Sequence, residues 1–462
     1  MSEAQEVLDT AVQNQQKKRR YWRGCLIVFL ILALPYYWVG CHTTRLHVSK
    51  ETTYALGPMT SDGKRIDYFR AMEERFYPPE MKTDDNGYRL IVRACGVEVA
   101  ASSCCPVPYT GQKEEETFTL NPLQRQIYDK LGLEPPTKRP TMKIESPVAT
   151  EYLPKYDSEH PPAEGEDNQS EKFRQAVFWT FDDFPMLKDW LDENTAGIDL
   201  LGEAVRKPAF FVPYVREQET ASFFDVFLHS DATTPPKGLA KAAQARAKYR
   251  LGIGDIDGAI DDIITMHFLA RHTGKQGTLI FHSVAAAIEG AANSMDITVN
   301  PKFPPTRGQI ERLIRELNAL PPRWTVKEVL ESERYFVLGN LLGDYWGYSE
   351  PLAGGILSVP AVRWIIDINI FLERMNEIYD AVINETTIDG KTLEEFQEWA
   401  LNSSRLPLTV RSRSLMYAEV TLCLLGDVAK NIREIQQRSE SALNANLEKL
   451  QNYLDGTATA LP

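Results

Sequence analysis

Ala243-Gln-Ala-Arg-Ala-Lys-Tyr-Arg-Leu-Gly-Ile-Gly-Asp-Ile-Asp-Gly-Ala-Ile260, continued by the apolar run to Leu269, is the stretch on which the fold class turns. Small residues in it let two antiparallel helices approach closely, and glycine permits a tight turn between them. The spacing predicts helices over Lys237–Leu251 and Asp255–Arg271, with Gly254 in the turn and Ala259 where the helices touch. Gly252-Ile-Gly254 is not a phosphate loop, because a dinucleotide fingerprint follows a strand and here a helix precedes. Asp255-Ile-Asp257-Gly258 is not a calcium loop either, since the glycine at position six and the glutamate at position twelve are missing. Acidic residues at a helix start serve as caps and complement the macrodipole.

The same period extends outward. Asp84-Asp85 can cap a helix carrying Tyr88, Ile91, Val92 and Cys95 at i, i+3, i+4 and i+7, ending at Gly96. Asn121-Pro122 opens another with Leu123, Ile127 and Leu131 on one face and Gly132 as its stop. Asp183-Phe184-Pro185 starts a helix with Leu187, Trp190 and Leu191, and Ile198, Leu201 and Val205 continue on the next. Further helices are predicted over Gly277–Asn293, Gln309–Leu320, Val326–Leu342, Val359–Asn384, Leu393–Leu401 and Ser412–Leu454, the last as a long surface helix or a paired hairpin. Alternating segments are nearly absent; Phe223–Leu228 is the one candidate strand. The fold class is therefore mainly α.

Near the start, Lys17-Lys18-Arg19-Arg20 and Arg23 precede an apolar run from Cys25 to Val39. A basic cluster holds its end of such a segment in the cytoplasm. Trp22–Val39 is close to the shortest helix that spans roughly 30 Å of hydrocarbon, and Trp22, Tyr36, Tyr37 and Trp38 suit the two interfaces. Residues 1–21 are expected as a cytoplasmic basic tail and 22–40 as a transmembrane anchor or signal. The bulk of the chain is then periplasmic, on a single-pass inner-membrane protein. A cleaved secretory signal competes but lacks a small-x-small site. Val39-Gly40-Cys41 also resembles the end of a lipobox, so a structural lipoprotein held through Cys41 is a further alternative.

Beyond the anchor, residues 41–132 are expected as a small irregular and helical region. Residues 133–170 form a Pro-rich linker, with Pro135-Pro136, Pro140, Pro147, Pro154 and Pro161-Pro162. Residues 171–462 are expected as an α-helical domain. The 462 residues are 43% hydrophobic and 25% charged, which excludes disorder of the whole chain. A net charge of −13 argues against nucleic acid as a partner. Six cysteines are too few for a disulfide scaffold; Cys95 can pair with Cys104 or Cys105 in an oxidising compartment.

The remaining motifs carry no chemistry. Ser61-Asp-Gly-Lys64 has the Ser-x-x-Lys spacing of penicillin-binding enzymes without its companion motifs. His267 and His272 stand five apart, off a shared helix face, and read as core or surface residues. Gly343-Asp-Tyr-Trp-Gly347 with Gly354-Gly355 reads as an interhelix loop. No catalytic, cofactor-binding or metal-ligating residue is assigned, and no cofactor is expected.

The hairpin resembles a single tetratricopeptide-type unit. Ala247 matches the small residue of its first helix, Gly254, Asp255 and Ile256 its turn, and Ala259 and Ile260 the start of its second helix. One copy falls short of the three or more that a self-supporting array needs. Three further segments resemble a family of uncharacterised exported proteins typical of planctomycete bacteria. They are Trp179-Thr-Phe-Asp-Asp183-Phe-Pro185-Met-Leu187-Lys-Asp-Trp190-Leu191-Asp-Glu-Asn194 with Lys207-Pro208, Ala245–Thr278, and Leu320-Pro321-Pro322 followed by Glu333-Arg334. The resemblance covers most of residues 171–340. It implies a basic-flanked anchor and a helical exported domain, and carries no activity to transfer. The expectation is an envelope protein held in the membrane through residues 22–40 that binds another protein or scaffolds an assembly. The alternative is a hydrolase-type envelope enzyme with dispersed carboxylates, which meet in space and not in sequence.

Overall fold

The opening stretch folds as the hairpin its spacing predicts. Helices Thr234–Ile253 and Ile256–Gly274 run antiparallel about a turn in which Gly254 takes φ 84°, a backbone region open to glycine. Asp255 caps the second helix, its Oδ1 accepting from the Gly258 amide at 3.0 Å. Gly252 has a different role. A Cβ there would lie 2.1 Å from the carbonyl oxygen of Trp179, so the backbone of residues 179–180 passes where a side chain would be. Trp179 is fixed in that position by donating from Nε1 to the Ala245 carbonyl at 2.9 Å.

The computed structural model describes residues 45–77, 79–100, 120–147, 152–162, 167–216, 234–346, 366–402, 410–422 and 425–456. Among them are fifteen α-helices and no strand, only isolated bridges. The first five are α1 (Tyr68–Phe76), α2 (Gly87–Ala100), α3 (Pro122–Leu131), α4 (Tyr152–Glu159) and α5 (Gln169–Gln175). The long α6 (Lys188–Val205) leads to the hairpin pair α7 (Thr234–Ile253) and α8 (Ile256–Gly274), then α9 (Leu279–Asn293) and α10 (Arg307–Asn318). The C-terminal third holds α11 (Val326–Trp346), α12 (Ile368–Asn384), α13 (Leu393–Asn402), α14 (Val410–Leu422) and α15 (Leu425–Leu454).

Local signals account for many of these boundaries. Asn121 and Gln124 form a reciprocal capping box at the start of α3, Pro122 occupies its first turn, and Gly132 ends it in the left-handed region. Thr306 and Gln309 form a second box at α10. Tyr88, Ile91, Val92 and Cys95 are all buried, and Gly96 interrupts α2 with φ 75°. Where two helices were expected after Asp183, one 18-residue helix, α6, carries Trp190, Ile198, Leu201 and Val205 inward. The 412–454 stretch resolves into two helices, α14 and α15.

Two apolar clusters result. The smaller joins Leu251 of α7, Ile260 and Ile264 of α8, Ile310, Leu313 and Leu317 of α10, and Leu450 of α15. The larger links the early helices to the rest, with Ile91 and Leu131 in the same cluster as Leu201, Phe281, Leu338 and Phe371. The Pro-rich stretch, expected as a linker over 133–170, packs against α6 in its described part. Ile144 is buried, the Glu145 amide donates to Asn194 Oδ1 at 2.7 Å, and Trp190 Nε1 donates to the Glu145 carbonyl at 2.8 Å.

The expected membrane segment 22–40, Cys41, the candidate strand Phe223–Leu228, and Gly347, Gly354 and Gly355 of the expected interhelix loop lie outside the described residues; Gly343 to Trp346, expected in that loop, instead form the last turn of α11. Among the described residues, no helix is long and apolar enough to cross a membrane. Cys95 is a free, buried thiol, and burial pushes its pKa up to about 12; Cys104 and Cys105 are outside the described residues.

Ala259 has no exposed surface. Ala259→Leu therefore overpacks the hairpin and costs about 1–3 kcal/mol, whereas Ala259→Ser is milder. Thermal melts of the two variants check this; equal small shifts would mean that α7 and α8 do not meet at this position.

Candidate functional site

An open groove of about 790 Å³ lies between the segment 47–54, α1, α11 and α12. Its construction begins with Asn376, a buried polar residue on α12. The Asn376 amide donates to the carbonyls of Glu51 and Thr52 at 2.7 and 2.8 Å, tying the N-terminal segment to the helix. The Tyr68 hydroxyl of α1 donates to the Thr53 carbonyl at 2.6 Å from the other side.

Arg334 of α11 is 1% exposed and lies under the groove. Its Nε donates to Asn376 Oδ1 at 2.8 Å, its Nη2 to the Asn376 carbonyl at 2.9 Å, and its Nη1 to Asp380 Oδ1 at 2.7 Å. The guanidinium stacks 3.8 Å from the Tyr54 ring centroid, with Tyr379 at 5.5 Å on the same cation. A buried cation needs this many partners, because desolvation without them costs several kcal/mol. Arg334 is thus a fastener that sets the shape of the groove, and most of its donor capacity is spent inside the protein.

The wall is acidic. Glu373, Glu377 and Asp380 stand at i, i+4 and i+7 on α12, so they form one stripe. The opposite face of α12 places Phe371, Leu372, Met375, Ile378 and Val382 in the core. Glu51 joins the stripe from the N-terminal segment, and a hydrogen bond from Ser49, then one from its own backbone, hold its carboxyl below the usual range. The side chains of Glu377 and Asp380 are 65% and 63% exposed, each also paired with an arginine, Glu377 with Arg374 at 3.0 Å and Asp380 with Arg334 at 2.7 Å. Lys50 and Arg75 are the only other cations on the lining, and Arg75 lies 3.7 Å from Glu331. Among the described residues the lining carries Lys50, Tyr54, Tyr335 and carboxylates, and no Ser, Thr, Cys or His.

The motifs singled out in the sequence lie elsewhere. Ser61 and Lys64 sit in an exposed turn, not at the start of a buried helix. His267 and His272 are both buried in α8; His272 shares its Nε2 with the Val205 carbonyl at 2.9 Å, and burial pulls each pKa down to about 4. Asp255 acts as a cap, and Asp257 meets Gln309 and Arg312 of α10. Among the described residues no group of three or more His, Cys, Asp and Glu could hold a metal ion. The reading of the sequence missed Arg334 and Asn376, which come from different helices. A signal was present in α12, where a polar stripe opposes a continuous apolar face.

No family model matches the chain, and neither a curated protein nor a solved structure does.

Proposed function

We propose that this chain is a membrane-anchored helical interaction module, and that the groove over Arg334 receives a basic segment of a partner protein. The observation that carries the reading is the exposed carboxylate row of Glu373 and Glu377, extended by Glu51, along an open concavity whose own buried cation is already paired with Asp380. Opposite potentials of this kind speed encounter and set register more than they add affinity. The anchor rests on the basic cluster Lys17–Arg23 ahead of residues 22–40, and the address outside the cytoplasm follows from it.

The test uses full-length protein in its native membrane. A photo-crosslinking residue replaces Glu377, and the adduct is compared with that formed in a Glu51→Lys/Glu373→Lys background. The expected result is a discrete protein adduct that charge reversal reduces at least roughly tenfold and that fades with salt. An adduct indifferent to both charge reversal and salt would remove the groove from the binding surface. A reporter fused after Pro462 is expected to work only as a periplasmic enzyme; cytoplasmic activity would overturn the address.

A further inference from the structure

A second cavity lies between α8, α9, α15 and the segment Arg323–Trp324, and it is built around charge. Glu289 is 4% exposed in the Ala-rich helix α9. Its Oε1 forms an ion pair with Arg271 Nη2 at 2.8 Å and accepts a hydrogen bond from Arg323 Nη2 at 2.7 Å. Its Oε2 accepts from Arg323 Nε at 3.1 Å and from the Ser439 hydroxyl at 2.7 Å. The carboxylate is therefore saturated, while the arginines are not. Arg271, 7% exposed, has a buried Nε that meets no acceptor among the described residues. His282, 6% exposed and one turn of helix before Ala286, has a buried Nε2 with no partner among the described residues.

Both groups line a cavity of about 30 Å³, together with Glu289, Arg323, Trp324 and Ser439. Arg271 Nε can only donate, and a neutral imidazole can donate from Nε2. Leaving buried donors unmet costs about 1–3 kcal/mol each, so the arrangement favours an acceptor between them. Arg271 and Glu289 are buried, whereas Arg323 is half-buried and its Nη1 donates at 3.3 Å to Glu440, 59% exposed on the rim; what stays unmet among the described residues is the pair of donors, Arg271 Nε and His282 Nε2. The tightest part of the space holds a few waters or an ion of that size.

We propose that this cavity binds a small monovalent anion, a halide or a one-carbon carboxylate, through Arg271 Nε and His282 Nε2. The anion completes the cluster that ties α15 to α8 and α9, so the site links anion concentration to the docking of the long C-terminal helix. It is independent of the groove.

The experiment uses full-length protein in a non-ionic detergent and a halide-free buffer. Sodium formate, sodium chloride and sodium gluconate are titrated separately at matched ionic strength. Gluconate carries the same charge but cannot enter. The expected result is a saturable rise in Tm of roughly 3–5 °C with formate or chloride and none with gluconate. Comparing formate with chloride separates carboxylate from halide as the occupant. Trp324 fluorescence should change over the same concentration range, and Trp324→Phe should abolish that change. His282→Leu removes one donor, and Ala286→Leu fills the cavity while leaving the Arg271–Glu289 pair in place. Both should cancel the specific rise. A Tm response equal in all three salts would mean that water alone fills the site and would overturn the proposal. So would a formate or chloride response unchanged in both variants. If either variant fails to fold, the three-salt comparison and the Trp324 signal on the unsubstituted chain still decide the matter.

Discussion

Asp262→Ala is expected to be the most damaging single substitution in the hairpin, costing about 3–5 kcal/mol. Asp262 is 1% exposed and sits between two guanidiniums. Arg246 reaches it with Nε and Nη2, the latter at 2.6 Å, and Arg250 donates from Nη1 at 3.0 Å. Arg246 is itself 3% exposed, and its Nη1 continues to Asp199 at 2.6 Å and to the Thr195 carbonyl at 2.9 Å. Burial pushes the Asp262 carboxyl up, and the two arginines draw it back. Removing the carboxylate leaves Arg246 buried with half its partners, so the loss is that of an uncompensated charge and exceeds the worth of the pair. The double variant Arg246→Met/Asp262→Leu should recover most of the stability, because a packed apolar pair has no desolvation to offset. Thermal melts of the single and double variants read both effects. A shift below roughly 2 °C for Asp262→Ala would show that water reaches the network and that these charges are not buried.

The second large effect is on acid stability. Burial pulls both His267 and His272 from 6.5 down to about 4. Glu289 pulls His267 upward and Arg271 and Arg323 pull it down, while the Val205 carbonyl and Lys275 act in opposite senses on His272. Both imidazoles are neutral in the native state at pH 7. The unfolded chain takes up protons first on acidification, so the stability is complete above pH 6.5 and is lost as pH falls toward 4. Each histidine accounts for about 3 kcal/mol across that window. His272→Gln keeps an amide donor for the Val205 carbonyl and removes the titration; His267→Met removes the titration with an apolar side chain. Tm measured from pH 7 to pH 4 should fall steeply in the unsubstituted protein and less steeply in each variant. A profile unchanged by both substitutions would assign the acid loss to carboxylates instead.

Glu333 contributes with the opposite sign. Part of its surface remains accessible, but burial raises its carboxyl pKa, against a hydrogen bond from the Leu279 amide at 2.9 Å. The native state therefore binds its proton more tightly than the unfolded chain does, and the group's contribution declines as pH rises through the unfolded value. Its geometry explains why it is there: Thr278 makes no side-chain cap for α9, and Glu333 supplies one from α11.

The elements that the sequence determined alone are those whose signals are local. Asn121, Pro122, Gln124 and Gly132 sit within one helix length and satisfy the ends of α3 without help from elsewhere. Gly254 and Asp255 do the same for the hairpin turn, and the 3.6-residue period of Ile310, Leu313 and Leu317 names the buried face of α10. What only tertiary structure decided is where charge is buried and what meets it. Arg334 finds Asn376 42 residues away, Asn376 finds Glu51 325 residues away, and Glu289 finds Ser439 150 residues away. The same arginine in an exposed helix would be a solvated charge, and nothing in its neighbours along the chain distinguishes the two cases. Caps and periodicity are written within a few residues because backbone hydrogen bonding is short-ranged. Sites depend on which helices the apolar faces bring together, and that choice is made by the whole core at once.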